Sequence, residues 1–200
     1  MTLISVSNNA LSGITALPAS IPTGALTLLS TQTASASATI SFTTGLDSTY
    51  DEYIFKFIDI HGTSDGTLFQ FNGSLDSGSN YNVTKTSTYF RAYHDEADTA
   101  TALAYEGTSD LAQGTSFQTI ATDIGTDADQ SCVGTLQLFN PSSTTYVKHF
   151  IGNTQNYHNA DYSMQAFSAG YFNSTSAINA IQFKMASGNF DGVIKLYGVS

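Results

Sequence analysis

The sequence predicts an all-β domain: a jelly-roll-like β-sandwich of about ten strands, preceded by an extended N-terminal arm. Two observations carry this. From residue 25 onward, short runs rich in Thr, Val, Ile, Tyr and Phe follow one another at intervals of roughly 10 to 20 residues. Gly, Asn, Asp or Ser separates most of these runs, as turns require. The chain divides accordingly into an arm, residues 1–24, and a single β-sandwich domain, residues 25–200.

The arm is apolar-dotted rather than periodic. Leu3, Ile4, Val6, Leu11, Ile14, Leu17 and Ile21 are spaced irregularly among small polar residues, and Pro18 and Pro22 close the segment. Such a segment has the apolar residues to lie in a partner's groove and too few to fold alone. We expect it to attach the domain to a partner, with its deletion sparing the fold. The first strands follow in ALTLLSTQT and SATISFTTG. YDEYIFKFIDIHG is the strongest strand of the chain, aromatic and β-branched throughout. TLFQFNGS alternates cleanly, with Phe69 and Phe71 on one face and Leu68 and Gln70 on the other.

TSTYFRAYH continues the strand series, and the one helix candidate comes next. In HDEADTATALAYEGTSD the acids Asp95, Glu96 and Asp98 would occupy a first helical turn, where the helix dipole favours them, and Gly107 would cap the end. TSFQTIATDIG, SCVGTLQLFNP, TTYVKHFIGN, YSMQAFSAGYF and AINAIQFKMAS read as further strands. FDGVIKLYGV reads as the strand that closes a sheet, with Val193, Ile194, Leu196, Tyr197 and Val199 paired and Tyr197 in the core. No fixed-period repeat is visible, which argues against a solenoid or propeller.

Composition narrows the function. The 200 residues carry Lys+Arg 6 against Asp+Glu 16, a net charge of −10. Nucleic-acid affinity comes largely from cations that neutralise phosphates, so no nucleic-acid partner is expected, and an anionic membrane surface is disfavoured for the same reason. Charged residues make up 11%, well below the usual share of about 25%. The surface is therefore built from Ser, Thr, Asn, Gln and Gly, which suits an extracellular or particle-borne protein. The N-terminus has no cation before its apolar residues and does not follow the signal-peptide pattern, so synthesis in a cytoplasm is expected. Cys132 is alone, in an apolar strand, and reads as a buried small hydrophobe.

Few constellations offer chemistry. DIGTDADQS brings Asp123, Asp127 and Asp129 within one loop, carboxylates that could hold Ca²⁺ although the spacing is not that of an EF-hand. HDEAD places His94 and Asp98 four apart. The histidines His61, His94, His149 and His158 are dispersed and form no zinc spacing. There is no G-x-S-x-G, G-x-G-x-x-G, P-loop or C-x-x-C, and no glutamate has the setting of a glycosidase acid. We expect no enzyme and no cofactor beyond that possible Ca²⁺. NTQNYHNADYSMQAFSAGYFN gathers Tyr157, His158 and Tyr162 among asparagines. Aromatic faces with amide partners are how lectin-type sites hold sugars, so these three are the glycan-binding candidates.

STYDEYIFKFIDIH at 48–61, YFRAYHDEADT at 89–99, LFNPSSTTYVKHF at 138–150 and FDGVIKLYGV at 190–199 resemble small β-rich virion structural proteins of tailed bacteriophages, especially marine ones. The resemblance implies a non-enzymatic structural role on the particle surface, as a capsid decoration, cement or head-fibre component. It implies the major capsid protein or other virion proteins as partners for the arm. It also implies a homo-oligomer, a trimer matching local three-fold positions. A tail-fibre or tail-tip module binding host-surface glycans is the alternative expectation.

Overall fold

The computed structural model describes residues 25–200. Twelve strands follow in order: β1 (Leu26–Ser37), β2 (Thr39–Phe42), β3 (Glu52–Gly62), β4 (Thr67–Ser74), β5 (Lys85–Asp95), β6 (Thr101–Tyr105), β7 (Gln118–Ile124), β8 (Cys132–Phe139), β9 (Lys148–His158), β10 (Tyr162–Phe172), β11 (Ala180–Met185) and β12 (Phe190–Val199). No helix occurs among the described residues, and every pairing between strands is antiparallel. The arm residues Leu3, Ile4, Val6, Leu11, Ile14, Leu17 and Ile21 lie outside the described residues.

Eight of the strands make the jelly roll. β1-β12-β3-β8 pair in that order as one layer, and β2-β11-β4-β7 pair as the other. Successive members of this set alternate between layers except at β4 and β7, which pair within one layer, and this is a jelly-roll order. The crossing from β1 to β2 takes a single residue, Ala38. Ala36 makes that corner possible by adopting φ 46°. Its N–H donates to Asp191 Oδ1 at 2.7 Å, and its carbonyl accepts from Asn189 Nδ2 at 2.9 Å.

Two hairpins are inserted into this frame. β5–β6 falls between β4 and β7 in the chain, and β9–β10 between β8 and β11. Both add to the free edge of β8, in the order β9-β10-β5-β6. One layer thus has eight strands and the other four. A bridge from Ile124 to His158 ties β7 to β9, so the twelve-stranded sheet nearly closes into a barrel.

The core lies between the layers and is mostly phenylalanine. Phe183 of β11 sits at its centre, meeting Phe55 at 5.1 Å and Phe57 at 5.3 Å between ring centroids, both edge to face. Phe57–Phe69 and Phe71–Phe150 cross between layers at 5.2 and 5.1 Å in the same geometry. That arrangement sets the positive ring edge on the negative face, each pair adding about 0.5–1.5 kcal/mol beyond its buried area. The strict alternation of YIFKF and LFQF delivers these rings to one side. Under the inserted strands buried polar groups join the apolar ones that Phe150 and Phe172 contribute. Ser87 Oγ donates to Gln118 Oε1 at 2.5 Å, Thr154 Oγ1 to the Ile120 carbonyl at 2.6 Å, and Asn156 Nδ2 to the Thr122 carbonyl at 3.1 Å.

Three sequence expectations change. The strands number twelve rather than about ten. HDEADTATALAYEGTSD is a β-hairpin turn followed by β6, not a helix: Thr101, Leu103 and Tyr105 alternate with Ala102 and Ala104 across the strand, and the pairing with β5 outweighs the local helix signals. Finally, β12 is central, between β1 and β3, but Tyr197 is not in the core. Ile194 and Leu196 are fully buried, whereas Val193, Tyr197 and Val199 point to the opposite face and are half-buried.

Candidate functional site

The ends of the two inserted hairpins meet at one corner of the eight-stranded layer. Asp95 closes β5 and organises its turn. Its carboxylate accepts from the backbone N–H of Thr99 and of Ala100, both at 2.8 Å, and from the Thr99 hydroxyl. These bonds, the Thr99 hydroxyl first, hold the Asp95 carboxyl below its ordinary range. The Glu96 N–H then donates to the Asp161 carbonyl at 3.0 Å, which fastens the β5–β6 turn to the β9–β10 turn. Asp98 and Asp161 take the left-handed conformation at those turns, φ 56° and 61°, a region Asp tolerates better than most residues.

Between the turns lies a pocket of about 280 Å³, lined by His94, Asp95, Glu96, Gln155, Tyr157 and Tyr162. Tyr162 is clamped by Tyr93, stacked at 5.2 Å, and by His158, tilted at 5.0 Å. The Tyr157 hydroxyl donates to Asp161 Oδ1 at 3.3 Å. Glu96, acting first by hydrogen bonding, and the charge around it push the Tyr157 phenol up to about 12, so it is a neutral donor at physiological pH. Neutral phenol rings beside carboxylate and amide groups suit a polyhydroxyl ligand: a ring face to stack on, and acceptors for hydroxyl hydrogens.

The three glycan candidates are not equivalent. Tyr157 and Tyr162 line the pocket. His158 turns to the inner side, where its Nε2 lies 3.5 Å from Asp123 Oδ2. The Ala160 N–H donates to His158 Nδ1 at 2.9 Å, which places the ring proton on Nε2, facing the carboxylate. Arg91 completes the cluster, 3.1 Å from Asp123 Oδ2 and 2.9 Å from Glu106 Oε1. His158 above all, with Arg91, holds the Asp123 carboxyl below its usual range. This Glu106–Arg91–Asp123–His158 chain joins β5, β7, β9 and the loop after β6.

The Ca²⁺ candidates separate in the same way. Asp123 is engaged with Arg91 and His158, while Asp127 and Asp129 are exposed on the following turn. Gln130 shapes that turn by accepting from the Asp127 N–H at 3.1 Å. Among the described residues, no three His, Cys, Asp or Glu side chains converge. His94 and Asp98 do meet, at 3.1 Å, across a hairpin turn rather than along a helix. Cys132 is fully buried, and burial pushes its thiol up to about 12.

The residues that sequence reasoning passed over lie on the outer face of the inserted strands. Phe90 and Phe167 stack there at 4.9 Å, and Leu103, Tyr105 and Ile151 stand beside them in the open. The signal was available in the alternation of TALAY and of YFRAYH, once these are read as strands. No family model, curated protein or solved structure matches this chain.

Proposed function

We propose that this chain is a non-enzymatic structural protein of a virus particle, displayed on the capsid surface as a decoration, cement or head-fibre component and attached through residues 1–24. Jelly rolls serve as viral capsid domains, lectins and cupins alike, so the fold by itself leaves the role open. The observation that favours assembly is the uncovered face of the inserted strands. No described element covers it, and it holds Phe90 at 40%, Tyr105 at 58% and Leu103 at 75% exposure. Exposed apolar groups gathered on one face mark an interaction surface. The acidic balance keeps such a protein off released nucleic acid. Asp95 is committed to its turn with a lowered pKa, the reverse of what a glycosidase acid needs.

The test is cryo-electron microscopy of the particle that carries this protein. Jelly-roll density on the capsid shell, continuous through residues 1–24 with the lattice, is the expected result. Absence of the protein from purified particles overturns the reading. The Tyr157–Tyr162 pocket favours a second reading, a tail-borne module for host glycans. That reading expects density at the tail, and binding on a glycan array that is lost in Tyr157→Ala and Tyr162→Ala.

A further inference from the structure

We infer that the pocket between the β5–β6 and β9–β10 turns selects a sugar that carries a free, protonated amine, and that Glu96 and Asp161 hold this ammonium. The inference rests on the second reading above, in which Tyr157 and Tyr162 line a sugar site, and it adds the charge that the sugar must carry.

The pocket offers more acceptors than its own donors can satisfy. Glu96 belongs to the β5–β6 turn and Asp161 to the β9–β10 turn, and both carboxylates converge on the Tyr157 hydroxyl. A phenol has one proton to donate, whereas an ionised carboxylate has two oxygens and only accepts. Tyr157 therefore satisfies one of the two acids at a time. Their spacing is fixed from below, because the Glu96 N–H donates to the Asp161 carbonyl at 3.0 Å. Both side chains are exposed, so a ligand reaches them from solvent. Asp95 adds a third negative charge to the lining, with its oxygens already bonded to Thr99 and Ala100.

No cation of the chain answers these charges. Arg91 is bonded to Glu106 and Asp123, His158 faces Asp123, and His94 faces Asp98. Among the described residues nothing cationic lies within ion-pair distance of Asp95, Glu96 or Asp161.

The missing group is a donor with a positive charge and no lone pair. An ammonium has three donors and no acceptor. A sugar hydroxyl brings acceptor lone pairs with its proton, and an N-acetyl group brings a carbonyl oxygen and no charge, so both answer the site less well. The remaining lining suits the rest of a sugar: Gln155 and Ser163 supply an amide and a hydroxyl, each able to donate and to accept. At about 280 Å³ the pocket lies near the lower end of ligand sites, a size for one ring rather than a long chain.

Calorimetric titration of the full-length chain tests this with short oligomers of glucosamine, of N-acetylglucosamine and of glucose, all in the same linkage. Glu96→Gln and Asp161→Asn are titrated alongside. Each substitution removes the charge and keeps the shape, and Asn tolerates the left-handed φ of 61° at position 161 as Asp does. Unchanged thermal melts confirm that both fold. The glucosamine oligomer is expected to bind at least about tenfold more tightly than either neutral oligomer, and to lose about tenfold or more in each variant, as for one charge-assisted hydrogen bond. A net charge of −10 attracts any polycation, so glucosamine binding that survives in both variants overturns the assignment. Equal binding of all three oligomers, lost in Tyr157→Ala, keeps the sugar site and overturns only the charge it selects. Failure of all three to bind overturns the sugar site and this inference together.

Discussion

Lys85 is a lysine buried at a cost in free energy. Its side chain is fully buried, donating to Asn72 Oδ1 at 2.7 Å and to the Val83 carbonyl at 2.8 Å, with the Phe172 ring at 5.5 Å and, among the described residues, no carboxylate bonded to it. Burial alone lowers its pKa from 10.5 to about 7. The unfolded chain therefore holds this proton between pH 7 and 10.5 while the folded chain releases it. Stability from this residue rises with pH across that window and is least below it. Each pKa unit is worth about 1.4 kcal/mol, so the total is on the order of a few kcal/mol. Asn72 Oδ1 also accepts from the Gly73 N–H at 2.8 Å, so removing the ammonium does not orphan it. Lys85→Met is expected to melt at higher temperature than wild type at pH 6–7, and the advantage is expected to shrink toward pH 10. Thermal melts across that range check this; a constant difference between the two proteins would mean that Lys85 titrates as an exposed lysine does.

The final strand shows what one position of alternation decides. Leu196 is fully buried between β1 and β3, while Tyr197, its neighbour, lies on the outer face beside Lys56. Leu196→Ala is expected to cost about 2–5 kcal/mol, the range for truncating a core aliphatic. Tyr197→Ala is expected to cost less than about 1 kcal/mol, near the range of surface changes. Denaturant unfolding of the two variants measures both, and equal losses would put Tyr197 in the core after all. Periodicity in the sequence made the strands legible, and the aromatic runs around Phe55, Phe57, Phe69 and Phe71 announced the inner face. It did not fix which parity of GVIKLYGV faces inward, because both parities there carry apolar side chains. The HDEAD turn was misread for a related reason. Acids that suit a helix start also suit a tight turn whose backbone N–H groups need an acceptor, as Asp95 provides for Thr99 and Ala100. Of the candidate site, Tyr157 and Tyr162 were legible as a local cluster. Their pocket partners His94 and Glu96 come from a hairpin some sixty residues earlier, a long-range pairing that local pattern does not encode.

At the scale of the molecule, the eight jelly-roll strands and the four inserted ones are held by different forces. The former enclose the phenylalanine cluster around Phe183. The latter reach that cluster through Phe150 and Phe172 and otherwise cover buried polar groups, among which Tyr89 Oη, Asn156 Oδ1 and Ser168 Oγ have no hydrogen-bond partner, and such unsatisfied buried groups weaken the packing around them. β6 is the extreme case, an edge strand paired only with β5 and with no buried residue. Local opening follows buried contact, so edge strands open at low cost and core strands only with global unfolding. Amide hydrogen exchange is therefore expected to run fastest at Thr101–Tyr105, slower through β5 and β10, and slowest at Tyr53–Phe57 of β3 and Ile194–Leu196 of β12. Uniform exchange rates across all of these segments would instead describe a single cooperative unit in which the inserted hairpins are as firmly held as the jelly roll.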